Sequence, residues 1–227
     1  RNQKGQRTAY RVHLYGNDRN LMSVILGPLP KTVRVGGRDV AIETDFKAGI
    51  RFELMTLDET ITPDLILTNY YGAVWPEPYD EALKAILWFY QCGADEKIQE
   101  KKGAKALKNF RRSYDFEVDA EVIYSSFWQA YGIDLGKTRM HWWAFRSLLL
   151  GLPEDTPFMQ RVYYRVGSTK GMSKKQKKDF EERRKRYQLP ERGAIDHKLS
   201  LMERDAAIRQ YVADRFAEAH KKTAEMG

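Results

Sequence analysis

Between residues 113 and 166, apolar residues recur at helical spacing, and Gly132, Gly151, Pro153 and Pro157 cut the run at short intervals. Such a stretch has few ways to fold. It predicts three helices on short links, each burying an apolar face against the others. The first starts at Ser113 or Asp115, carries Phe127, Trp128 and Tyr131, and ends at Gly132, which supplies a left-handed C-terminal residue. The second runs from Thr138 through RMHWWAFRSLLL to the stops Gly151 and Pro153. The third, PFMQRVYYR, opens at Pro157, where a first turn tolerates proline.

Upstream, residues 32–43 alternate apolar and polar about Gly36-Gly37, so Val33 and Val35 are expected to pair with Val40 and Ile42 in a hairpin with a Gly-Gly turn. An isolated hairpin is marginal in water and must lie on helices. Thr44-Asp45 reads as a cap for a helix with Phe46, Ile50, Leu54 and Leu57 on one face. A second helix spans about Pro63 to Tyr70. A third follows Pro78 with Asp80 and Glu81 in its first turn and Leu83, Ile86, Leu87 and Tyr90 behind them. Residues 95–112 are polar, a short helix or loop.

Two charged or amphipathic segments follow the core. Residues 173–188 have only Phe180 and Tyr187 as apolar residues, and Asp179–Arg183, Glu181–Lys185 and Glu182–Arg186 are helix-supporting i,i+4 pairs. A last helix over about 198–221 would carry Leu201, Ile208, Val212 and Phe216 as a narrow stripe. The expected fold is mainly α: a compact helical domain with an N-terminal β-hairpin, a charged solvated helix and a C-terminal amphipathic helix. In domain terms, residues 1–21 read as a disordered or upstream extension, 22–169 as hairpin plus helical core, 170–192 as the basic helix and 193–227 as the amphipathic helix.

The charge of +8 is unevenly placed. Residues 1–20 carry +4 and residues 170–192 carry +6, which leaves the body mildly acidic. A phosphate-binding fold more usually carries its charge on the structured face that meets the backbone, so nucleic acid is not the expected partner. The interleaved acids suit a solvated helix; a nucleic-acid-binding module built on 170–192 is the alternative. No apolar run approaches the roughly 18–20 residues of a membrane span. The single cysteine, Cys92, fits a reducing cytosol and reads as inert packing.

No motif for catalysis, cofactor or metal binding is present, and no residue is assigned to any of these roles. His13, His141, His197 and His220 are never at ligand spacing from one another. Gly167 to Gly171 lacks the order of a phosphate loop and reads as a linker. Asp115, Glu117, Asp119 and Glu121 would share a face on a strand and scatter on a helix. Within a helical pattern they read as acids complementing a helix dipole, with a metal site as the alternative. On the 139–152 wheel, Trp143 and Leu150 fall among Arg139, Arg146 and Ser147. Either that helix is buried all round, or Trp143, Leu150, Arg139 and Arg146 contribute to a protein-binding surface.

The runs VRVGGRDVAIETDFKAGIRFELM, AILWFY, SYDFEVDAEVIYSSFWQAYGIDL, MHWWAFRSLLLGLPEDTPFMQRVYYR and MSKKQKKDFEERRKRYQLP, in that order, resemble the bacteriophage family catalogued as gene product fifteen. The resemblance covers Leu26 to Pro190. It implies a tail-morphogenesis protein of long-tailed phages, non-enzymatic and without cofactors, acting as a tail assembly chaperone. The implied partners are the tape-measure protein and the tail-tube protein, with self-association along the client. The implied location is the host bacterial cytoplasm, with absence from the mature virion. A structural tail component is the remaining alternative.

Overall fold

The computed structural model describes residues 25, 27–56, 62–93 and 113–190. The basic stretch to residue 21, the polar run 95–112 and the amphipathic stripe of 198–221 lie outside the described residues.

Strands β1 (Thr32–Val35) and β2 (Arg38–Ala41) form an antiparallel hairpin with Val33 opposite Val40 and Val35 opposite Arg38. Gly36 and Gly37 turn the chain at φ of 55° and 71°, the left-handed pair that a two-residue turn requires. Ile42 falls one residue past β2, where its N–H donates to the Lys31 carbonyl at 3.2 Å, so of the four expected partners only Val33 and Val40 stand opposite each other. The hairpin is held to a helix at its tip, because the Gly36 N–H donates to the Glu81 carboxylate at 2.7 Å.

Seven helices follow among the described residues: α1 (Phe46–Thr56), α2 (Pro63–Tyr71), α3 (Tyr79–Tyr90), α4 (Ala120–Tyr131), α5 (Trp142–Leu150), α6 (Pro157–Val166) and α7 (Lys174–Arg186). The Asp45 carboxylate accepts the Lys47 N–H at 2.9 Å, the cap expected for α1. The buried face of α1 is Phe46, Ala48, Gly49, Phe52, Glu53 and Thr56, while Ile50 and Leu54 are only half-buried. The expected face is therefore rotated by part of a turn.

Two helices start later than their patterns predict. The Asp115 carboxylate accepts the N–H groups of Glu117 and Val118, which holds residues 115–119 in a turn and delays α4 to Ala120. Residues 140 and 141 are kept out of the helix by a bridge to the start of α1. There, Phe46 N–H donates to the Met140 carbonyl and Trp142 N–H to the Thr44 carbonyl, each at 2.8 Å. His141 then caps α5, its Nδ1 accepting the Trp143 N–H at 3.1 Å. At α7, Ser173 and Gln176 form a reciprocal capping box.

The core is aromatic. Trp142 stacks on Tyr90 with centroids 5.3 Å apart, and Phe145 stacks on both Phe46 and Phe127. Removing each of these side chains from water contributes about 1.5–3 kcal/mol. Gly49 lets α1 lie against α5: a Cβ there would come within 2.3 Å of the Trp142 ring.

Candidate interaction surface

Helix α5 faces inward. The indole Nε1–H of Trp142 donates to the Tyr90 carbonyl and that of Trp143 to the Phe89 carbonyl, both at 2.7 Å. Arg146 Nη1 donates to the Tyr90 carbonyl at 2.9 Å and lies over the Tyr90 and Trp142 rings. The last carbonyls of α3 thus accept from side chains of α5, that of Phe89 in addition to the Cys92 N–H at 3.0 Å. A cation beside that negative helix end adds a favourable dipole contact.

This arrangement corrects the contact surface drawn from the wheel. Trp143 is 1% exposed and Arg146 is engaged in the interior, so neither presents itself to a partner. Arg139 is exposed but tied to Glu43 and Asp45. Leu150, at the far end of α5, is 63% exposed. The four residues do not form one face. His141 is hydrogen-bonded through both nitrogens, Nε2–H to the Pro30 carbonyl at 2.9 Å and Nδ1 from Trp143, and burial holds its pKa below the ordinary value. Cys92, half-buried, lies 4.0 Å from Arg146 Nη1.

The acidic alternation divides in two. Glu117 and Glu121 are exposed, whereas Asp115 and Asp119 are buried, so the reading of a simple acidic first turn is corrected for the aspartates. Asp119 receives Arg165 in a two-pronged pair, Nη1 to Oδ2 at 2.5 Å and Nη2 to Oδ1 at 2.8 Å, and Arg161 at 3.1 Å. Asp119 Oδ2 also accepts the Asp115 N–H. Fully desolvated charges need such pairing and hydrogen bonding to be tolerated. These bonds lock α6 onto α4, and Phe158 N–H to Ser126 Oγ at 3.0 Å extends the seam. Among the described residues, no group of three or more His, Cys, Asp or Glu is placed to hold a metal.

With its arginine face locked inward, α6 turns Met159, Val162, Tyr163 and Val166 to another side. They recur at i, i+3, i+4 and i+7, one stripe of a helix. Met159 and Val162 are half-buried; Tyr163 and Val166 are 51% and 45% exposed. A cavity of about 510 Å³ beside the stripe is lined, among the described residues, by Glu154, Met159, Gln160, Val162, Tyr163 and Tyr164. On neighbouring α4, Tyr124 and Trp128 are also exposed, one turn apart. Exposed apolar side chains grouped at helical spacing beside a cavity are a candidate binding face.

Helix α7 closes the other flank of α6. Phe180 is buried against Tyr163, Tyr164 and Gly167, and Tyr187 lies against Tyr164. Arg183 covers the Tyr164 ring, and Arg184 donates to the Tyr164 and Gly167 carbonyls and pairs with Glu181. The arginines are thus spent on rings and carbonyls, not on the i,i+4 partners expected from spacing. The Gly167–Gly171 link is pinned at Gly167 by Arg184 and by its own N–H to the Tyr163 carbonyl.

A family model described as Bacteriophage Gp15 protein matches residues 25–189. The chain belongs to this family. No curated protein and no solved structure matches it. The Gp15 match takes in the hairpin, all seven described helices and therefore the whole α6 stripe. It makes this a phage protein, and among the described residues no helix is long and apolar enough to cross a membrane. The Gp15 residues that shape this surface and that sequence reasoning passed over are Arg161 and Arg165. Their four-residue spacing on PFMQRVYYR was visible. Their carboxylate partner, 46 positions from Arg165, was not.

Proposed function

We propose that this protein is a non-catalytic tail assembly chaperone, with the α6 stripe as the face that holds its client. The client is the tape-measure protein, and the tail-tube protein polymerises around the complex. The observation that carries this reading is the combination on α6: one face is fixed to Asp119 by the buried Arg165 and the half-buried Arg161, and the other leaves Tyr163 and Val166 in water. A helix anchored in this way can offer an apolar stripe without coming loose. A long helical client has apolar segments that aggregate before the tube encloses them, and a matching stripe can mask them. Several copies along one client would add avidity. Membership of a phage family supports the setting, and the protein would act in the host cytoplasm and leave before the virion matures.

The test is co-expression with the tape-measure protein encoded by the same phage. The wild-type chain should raise the soluble fraction of the client and co-purify with it. Tyr163→Ser with Val166→Ser should abolish co-purification while the variant still melts cooperatively. No solubility gain from the wild type would end the chaperone reading. Full retention of the client by the double variant would move the client face elsewhere. A copy found by mass spectrometry in finished particles would favour a structural tail component.

A further inference from the structure

The basic segment is two different things. From Asp179 onward acids interleave with the cations, and the arginines there hold α7 to α6. From Lys170 to Lys178 there are five lysines in nine residues and no acid. Lys170, Lys174, Lys175, Lys177 and Lys178 are all exposed, and among the described residues no carboxylate lies within ion-pair distance of any of them. Four of the five occupy the first five positions of α7, at its positive end, where like charge destabilises the helix; no acid offsets them in that turn. The i,i+4 pair Lys174–Lys178 adds repulsion. Folding alone does not explain this placement.

We infer that Lys170, Lys174, Lys175, Lys177 and Lys178 form a non-specific binding site for the phosphate backbone of duplex nucleic acid. At 100° per residue, the four helical lysines sweep an arc of about 160° on the side away from Phe180. A flat acidic protein surface meets one line of a helix. A major groove, about 12 Å wide, takes a helix in and sets phosphates on both flanks. Residues 174–179 are all exposed, so this end of α7 is free to enter. Lysine suits the role as a point charge that needs no fixed geometry. This site is independent of the stripe on α6, and its ligand is of a different class.

The experiment is fluorescence anisotropy of the full chain with a labelled 20-base-pair duplex over a series of salt concentrations. Binding should weaken as salt rises, with a log–log slope of about 0.9 per phosphate contact. Lys174, Lys175, Lys177 and Lys178 each replaced by Gln in one variant should weaken binding at least tenfold and flatten the slope by about three contacts. A control replacing Lys31, Lys47, Lys84 and Lys137 by Gln removes the same charge from elsewhere on the surface and should bind as the wild type does. The first variant should melt no lower than the parent, since it removes the like charges from the first turn of α7. The control should still melt cooperatively, since its four lysines are all exposed. Equal loss in the two variants, or unchanged binding in the first, would overturn the site. So would polyglutamate of matched charge competing as well as duplex, which would assign the patch to an acidic protein.

Discussion

Arg165 grips Asp119 with two nitrogens on two oxygens, and both side chains are almost wholly removed from water. In bulk solvent such a pair would be worth little. Here each partner makes the other's burial tolerable, and the pair sets the rotation of α6 that leaves its apolar stripe facing out.

Removing one member should therefore cost far more than the pair gains. Arg165→Met and Asp119→Asn are each expected to lower unfolding free energy by about 3–5 kcal/mol, since each leaves a buried polar group without its partner. Urea denaturation measures this. The double variant Arg165→Met with Asp119→Asn should lose less than the sum; an additive loss would mean that the two residues are not coupled.

Trp143 should behave as a core residue. Trp143→Phe keeps most of the ring and deletes the donor to the Phe89 carbonyl, at a cost of about 1–3 kcal/mol. Trp143→Ala adds a cavity and should cost about 3–5 kcal/mol. A melting temperature unchanged by either substitution would contradict the packing described.

Gly49→Ala sets two effects against each other. Alanine gains about 1 kcal/mol of helix propensity over glycine. Its Cβ would have to sit 2.3 Å from the Trp142 ring, which is fixed by its stack on Tyr90 and its hydrogen bond to that residue's carbonyl. Overpacking costs of about 1–3 kcal/mol decide the sign, so the variant should be less stable by thermal melting.

His141 gives stability a pH dependence. Its folded pKa lies below the ordinary 6.5, chiefly through burial, so the unfolded chain binds the additional proton first. The stabilisation from neutral His141 is complete above about pH 6.5 and is lost as pH falls from there through the folded pKa. Melting temperatures between pH 7.5 and 5 should fall for the wild type and fall less steeply for His141→Asn. Parallel curves would show that His141 is not responsible.

How much of this was legible in the chain depended on the range of the interaction. The hairpin at Gly36-Gly37, the proline-led starts of α2 and α6 and the Gly132 stop are local, and each was read from neighbouring residues. The late starts of α4 and α5 were missed because they come from an aspartate folding back on the next backbone amides and from a bridge to residues almost a hundred positions away. Of the candidate site, spacing left two readings open, burial all round or a surface with Trp143 and Leu150 together; Leu150 is exposed, while Trp143 is buried through a carbonyl 54 positions upstream. The stripe on α6 was written in its spacing, but only the placement of Arg161 and Arg165 tells which side of that helix stays wet.

Helix α7 is joined to the body by one buried ring, a tyrosine and a few guanidinium contacts, with nothing resembling the aromatic stack around α5. Its free energy of opening is accordingly a fraction of that for the whole molecule. Backbone amides of residues 177–186 should take up deuterium well before those of α5. Exchange in α7 ahead of α5 would make this arm a unit that opens while the other described helices stay folded.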